Sequence, residues 1–95
     1  METIPEFEYD PAKSQANLEK HGIDFETAQV IWRDTKKVQI DARSTGERRY
    51  AMIGAIEGKV WTAFATDRPK AVRMISARRA RISEVRVYEA QSNQR

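Results

Sequence analysis

Cysteine is absent from the chain and histidine occurs once, which removes disulfide stapling and a thiolate nucleophile and argues against a zinc site. No run of about 18 apolar residues occurs, so no membrane-spanning helix is expected. The first residues lack the basic-then-apolar pattern of a secretion signal, and a soluble, cytoplasmic protein is expected. Internal repeats, low-complexity linkers and a glycine-rich phosphate loop are also missing. What remains is 95 residues with 40% hydrophobic content, enough for one small packed domain. Its expected limits are residues 6–89, with 1–5 and 90–95 as frayed ends.

Charge is present but unevenly spread. Residues 1–66 carry nine Lys/Arg and eleven Asp/Glu, whereas residues 67–95 carry eight and three. That surplus of five positive charges in the last third suits a polyanionic partner, nucleic acid or an acidic protein, and equally suits a solvated basic helix face.

The stretch from Arg43 to Ala77 reads as consecutive antiparallel strands. Tyr50 to Ile56 and Val60 to Thr66 are rich in aromatic and β-branched residues and flank Glu57-Gly58-Lys59, a hairpin signal. A two-residue turn at Glu57-Gly58, with Gly58 at positive φ, sets Ile56 against Lys59 and Ile53 against Thr62. Upstream, Arg43-Ser44-Thr45-Gly46-Glu47 suits a three-residue loop with Gly46 left-handed, joining a strand near Lys37 to Arg43. That register opposes Arg43 to Glu47 and Asp41 to Arg49. It gives a core face of Val38, Ile40, Ala42, Tyr50, Met52, Ile56 and Trp61. The other face grades from Gln39, Asp41, Arg43, Glu47 and Arg49 into Ala51, Ile53, Val60, Thr62 and Phe64.

Around this sheet the spacing predicts a brief strand near Glu6 to Tyr9, then a helix from Pro11 to His21. Asp10 caps that helix and Gly22 closes it. Asn17, Lys20 and His21 share a surface at its end, where the helix dipole favours protonated His21. His21 suits a general acid or base, though a lone histidine at a helix end more often serves as a ring that ties down the turn. A second helix, capped by Asp24, runs through Trp32 with Phe25, Ala28 and Trp32 inward. Asp67 to Lys70 is a turn, Val72 to Ala77 the last strand, and Arg78 to about Glu89 a helix. On that helix Arg81 pairs with Glu84, and Arg78 stands on the sheet-facing arc without a local carboxylate. Its replacement by alanine is therefore expected to spare stability.

Asp10-Pro-Ala-Lys13, Asn17-Leu-Glu-Lys20-His21-Gly22, Phe25 with Ala28, Arg43-Ser-Thr-Gly46-Glu47-Arg-Arg49, and Arg73-Met-Ile-Ser76-Ala77-Arg78-Arg-Ala80 ending at Glu84 and Tyr88 together resemble the BrnT toxin family. The resemblance covers about residues 6–89, with Tyr9 standing where a tryptophan is expected. It implies a RelE-like α+β fold: two N-terminal helices and one C-terminal helix on an antiparallel sheet of four to five strands. It also implies a ribosome-independent ribonuclease that arrests translation. A BrnA-type ribbon-helix-helix antitoxin would neutralise it, two of each chain together, and only that partner would contact operator DNA.

RNA cleavage without a metal or other cofactor needs a base for the 2′-hydroxyl, an acid for the leaving 5′-oxygen and cations around the phosphorane. Arginine suits the last role, because its planar fork pairs with two phosphate oxygens. Arg43, Arg49, Arg73 and Arg78 are the candidate phosphate contacts. Glu47 or His21 is the candidate base, and His21, Lys20 or Tyr88 the candidate acid. Without the resemblance, the Arg43 to Arg49 cluster is better explained by the cross-strand pairs Arg43–Glu47 and Asp41–Arg49 steadying a hairpin, and the choice is closer for Arg73 and Arg78. A non-catalytic RNA binder and a protein-docking scaffold are the alternatives in function.

Overall fold

A computed structural model describes residues 4–43 and 46–93. Its elements are β1 (Phe7–Glu8), α1 (Pro11–His21), α2 (Phe25–Ala28, continued by a 3-10 helix over Gln29–Arg33), β2 (Val38–Ala42), β3 (Arg49–Ile56), β4 (Lys59–Arg68), β5 (Ala71–Arg79) and α3 (Ile82–Asn93). The strands form one sheet in the order β1-β5-β4-β3-β2. All neighbours are antiparallel except β1, which runs parallel to β5. The expected α+β architecture is therefore present, with a mixed rather than purely antiparallel sheet. Among the described residues no helix is long and apolar enough to cross a membrane.

Local chemistry accounts for the element ends. Asp10 accepts the Ala12 N–H at 2.9 Å and Pro11 opens α1. Gly22, at φ 79°, donates its N–H to the Leu18 carbonyl and closes that helix. Asp24 caps α2 through the Thr27 N–H at 2.7 Å. Glu57 and Gly58 both take positive φ, 50° and 80°, so the β3–β4 turn matches the right-handed twist of its strands. Ile56 opposes Lys59 and Ile53 opposes Thr62, as that turn requires.

The core lies between one sheet face and the N-terminal helices. Phe25, Ala28, Ile31 and Trp32 pack on Tyr50, Met52, Ala63, Ala65, Met74 and Ala77. Phe7 meets Trp32 and Tyr9 meets Phe25 edge-to-face, at 5.0 Å and 5.6 Å between centroids. Gly54 lets the 3-10 helix approach β3, since a Cβ there would sit 3.1 Å from the Ile31 carbonyl oxygen.

Helix α1 is tied down by polar groups, because the residues it buries are Ser14 and Asn17. Ser14 Oγ accepts the Phe25 N–H at 2.9 Å. Asn17 donates to the carbonyls of Ile23 (2.8 Å) and Ala77 (2.9 Å) and accepts the Ala77 N–H at 3.2 Å. Its amide thus pairs with β5 as a neighbouring strand would, beyond the stretch β1 covers. Asn17 is a buried fastener and not part of a surface with Lys20 and His21, as helical spacing alone suggests.

Three sequence expectations are corrected. Asp41 opposes Tyr50, not Arg49, and Ala42 opposes Arg49. The β2–β3 connection is longer than the expected three-residue loop, and the one-residue slip turns Val38, Ile40 and Ala42 onto the face opposite the core. Gly46 is left-handed as expected, at φ 87°, while Ser44 and Thr45 lie outside the described residues. Second, β5 continues to Arg79 and α3 starts only at Ile82, so Arg78 is a strand residue rather than a helical one. Third, Ser76 does not follow Val72 and Met74 onto one face: Phe64 opposes Ser76 but Ala65 opposes Met74, leaving Ile75 as an inserted residue. The frayed ends expected at 1–5 and 90–95 fall partly on residues 1–3 and 94–95, outside the described residues, and α3 runs on to Asn93.

Candidate nucleic-acid interface

Opposite the core is a second sheet face, crossed by α3 where it packs on β2 and β3. Successive pairings and the two-residue period of a strand define what this face presents. One row runs Ile40, Ala51, Phe64, Ser76. A row on one side holds Val38, Ile53, Thr62 and Arg78, and on the other side Ala42 and Arg49 lie level with Thr66 and Arg73. Three of the four candidate arginines, Arg49, Arg73 and Arg78, therefore share one face. Arg43 is exposed just beyond β2.

The inserted Ile75 makes this possible. In a regular strand Arg73 and Arg78, five positions apart, would point to opposite faces. With the bulge they oppose Thr66 and Thr62, which are four apart on β4 and share a side. Arg68, next to Thr66 in the same alternating set, joins them at the β4–β5 turn.

Arg78 is not left over. Its Nη1 and Nη2 donate to Glu84 Oε1 and Oε2 at 2.7 Å and 2.8 Å, a bidentate arrangement. The two side chains are only 20% and 14% exposed. Glu84 also accepts from Thr62 Oγ1 at 3.0 Å and from the Arg81 N–H at 2.7 Å, so it caps α3 while binding the sheet. The Arg78 hydrogen bonds hold the Glu84 carboxyl at about 2, against burial, and the same bonds raise the Arg78 guanidinium. Arg78 thus pairs through its side chain with the carboxylate that helical spacing gives to Arg81, and Arg81 reaches Glu84 through its backbone. The Arg78 guanidinium carbon lies 5.1 Å from the Phe64 ring centroid, within cation–π range.

The remaining candidates are dispersed. Glu47 pairs with Arg68 at 3.1 Å and edges a polar hollow of about 280 Å³ with Gln39, Arg48, Tyr50, Thr66 and Asp67. In it the Tyr50 hydroxyl donates to Asp67 at 2.9 Å, and burial with that partner pushes the phenol well above its ordinary range. Arg73 pairs with Glu8 at 3.0 Å, an exposed contact worth little. Tyr88 donates to Asp34 Oδ2, which also accepts the Ala55 N–H at 2.8 Å and so ties α3 to β3. Lys20 and His21 end α1, near the Ala77 end of β5, and among the described residues no hydrogen bond or ion pair joins them to the arginines. Glu47, through Arg68, lies at the Ala71 end of β5, while Asn17 ties α1 to Ala77. At about 3.3 Å per residue those ends are roughly 20 Å apart.

Phe64, Glu84 and Arg68 do not stand out in the sequence as site residues. Phe64 is visible there as an aromatic on the mixed face; Arg68 and the Glu84 pairing depend on where the chain turns.

The fold is α+β, and this face gathers Arg49, Arg73 and Arg78 with the Phe64 ring. Residues 9–84 match the family of BrnT ribonuclease toxins of type II toxin-antitoxin systems. The chain belongs to that family, a ribonuclease toxin by descent with an antitoxin as its partner. Among curated proteins no sequence matches closely enough to count as a relative.

Proposed function

We propose that this chain cleaves single-stranded RNA without a metal ion, using the part of this sheet face that α3 leaves uncovered as the binding surface. The observation that carries the reading is the shared orientation of Arg49, Arg73 and Arg78 beside Phe64, which combines phosphate contacts with a stacking platform. Arg49, Arg68 and Arg73 surround the scissile phosphate at the β4–β5 turn, and Glu47 takes the proton of the 2′-hydroxyl. The 2′-oxygen forms its bond to phosphorus as the bond to the 5′-oxygen breaks, and that oxygen is protonated from water. The products are a 2′,3′-cyclic phosphate and a 5′-hydroxyl. Glu47 and His21, at opposite ends of β5, cannot serve one phosphodiester. Lys20 and His21 instead meet a neighbouring phosphate of an RNA that continues over the β5 edge.

Cleavage of cellular RNA would arrest translation in the cytoplasm, and a BrnA-type ribbon-helix-helix antitoxin would relieve it, two toxins with two antitoxins. Purified chain incubated with RNA in EDTA tests the chemistry. Fragments ending in cyclic phosphate are expected. Intact RNA in a salt-sensitive complex would instead identify a binder without catalysis. Growth arrest on induction, rescued by a ribbon-helix-helix protein encoded alongside, tests the partner.

A further inference from the structure

The Arg78 guanidinium carries five N–H donors in a plane. Glu84 takes one from each terminal nitrogen, and the Arg79 carbonyl takes a second from Nη1 at 3.2 Å. The Nε–H and the second Nη2–H have no partner among the described residues, and together they make a side-on fork. Glu84 fixes the plane of that fork, and Phe64 lies beneath it.

Two kinds of ligand take such a fork bidentately: a phosphate, or the O6 and N7 of guanine. Two features favour the base. The Glu84 carboxylate cancels the charge that would draw a phosphate, whereas Arg49 makes no ion pair among the described residues and Arg73 only an exposed one. Arg78 is also recessed, and a weakly hydrated base edge enters such a place at lower desolvation cost than a phosphate.

We propose that Arg78, held by Glu84 over Phe64, reads a guanine in the bound RNA, so that the chain discriminates among RNA sequences. This rests on the RNA reading above. Adenine presents an amino donor where guanine has O6, and the pyrimidines have no N7, so neither fills both arms of the fork.

The test uses the full chain in EDTA with short single-stranded RNAs that differ at one guanosine, left intact or replaced by inosine, 7-deazaguanosine or adenosine. Binding and cleavage are both measured. Inosine, which keeps O6 and N7, should stay within about two-fold of guanosine, while 7-deazaguanosine and adenosine should fall by about tenfold or more. Arg78→Lys, which keeps charge and loses the fork, should bring these ratios close to one. Should Arg78→Lys fail to fold, the RNA substitutions on the unaltered chain decide alone. Cleavage at equal rates for all four RNAs overturns the guanine contact and leaves a phosphate contact in its place. Guanosine-dependent binding without cleavage sustains the guanine contact and overturns the ribonuclease chemistry. Absence of binding to any of them overturns both.

Discussion

Arg73 and Arg78 stand five positions apart on β5 and still project from the same face of the sheet, because Ile75 is inserted opposite the Phe64–Ala65 step. Bulges re-aim side chains where a strand must serve a site. Here one added residue moves a cation from the core side to the face that also carries Arg49. In the proposed complex both Arg49 and Arg73 lie on the path of the RNA backbone. Arg49→Ala and Arg73→Ala should each weaken binding to single-stranded RNA and each flatten the slope of log affinity against log salt by about 0.7. Filter binding across a salt series checks this. An unchanged slope would place the RNA elsewhere.

The Arg78–Glu84 pair makes stability depend on acid. The Glu84 carboxyl titrates at about 2 in the folded chain, against an ordinary 4.5. Its folded value is depressed, so its contribution is complete above about pH 4.5 and is lost as pH falls toward 2. Asp34 adds in the same direction. Burial, the largest influence on it, raises it, but hydrogen bonds from Tyr88 and from the Ala55 and Lys36 N–H groups, with the Lys36 charge, outweigh burial. Urea unfolding should find Glu84→Gln less stable than the unaltered chain at pH 6 by on the order of 2 to 3 kcal/mol, the gap closing between about pH 4.5 and 2.

Arg78→Ala should also destabilise, by about 3 kcal/mol, because it strands the Glu84 carboxylate in a recessed site. A sequence-based reading expects no such loss. Thermal melting distinguishes the two. Activity lost in this variant is interpretable only beside its melting curve, whereas Arg78→Lys keeps a cation in place.

Asn17→Ala should cost about 2 to 4 kcal/mol, since the N–H and carbonyl of Ala77 and the carbonyl of Ile23 would lose their partner in a buried place. Amide hydrogen exchange gives the sharper measurement. Protection at Ala77 should fall while protection on β3 is kept.

Gly54→Ala should destabilise by about 1 to 3 kcal/mol through overpacking. The added methyl would meet Ile31 Cγ2 at 3.0 Å and its carbonyl oxygen at 3.1 Å. Denaturant unfolding with an unchanged m-value would assign the loss to this contact.

Several of these features divide by range along the chain. The sequence alone determined what acts within a turn or two. Asp10, Pro11 and Gly22 bound α1, Asp24 starts α2, and Glu57-Gly58 turns β3 into β4, because capping and positive φ depend on adjacent atoms. Tertiary structure decided the β2–β3 register, the Ile75 insertion, the Asn17 clasp on Ala77 and the pairing of Arg78 with Glu84. Each joins groups whose meeting depends on how several elements pack, and a period-two pattern reads the same in either register until a packed neighbour selects one. The arginines were legible as residues; that three of them face one way was not, because a single inserted residue reverses the count.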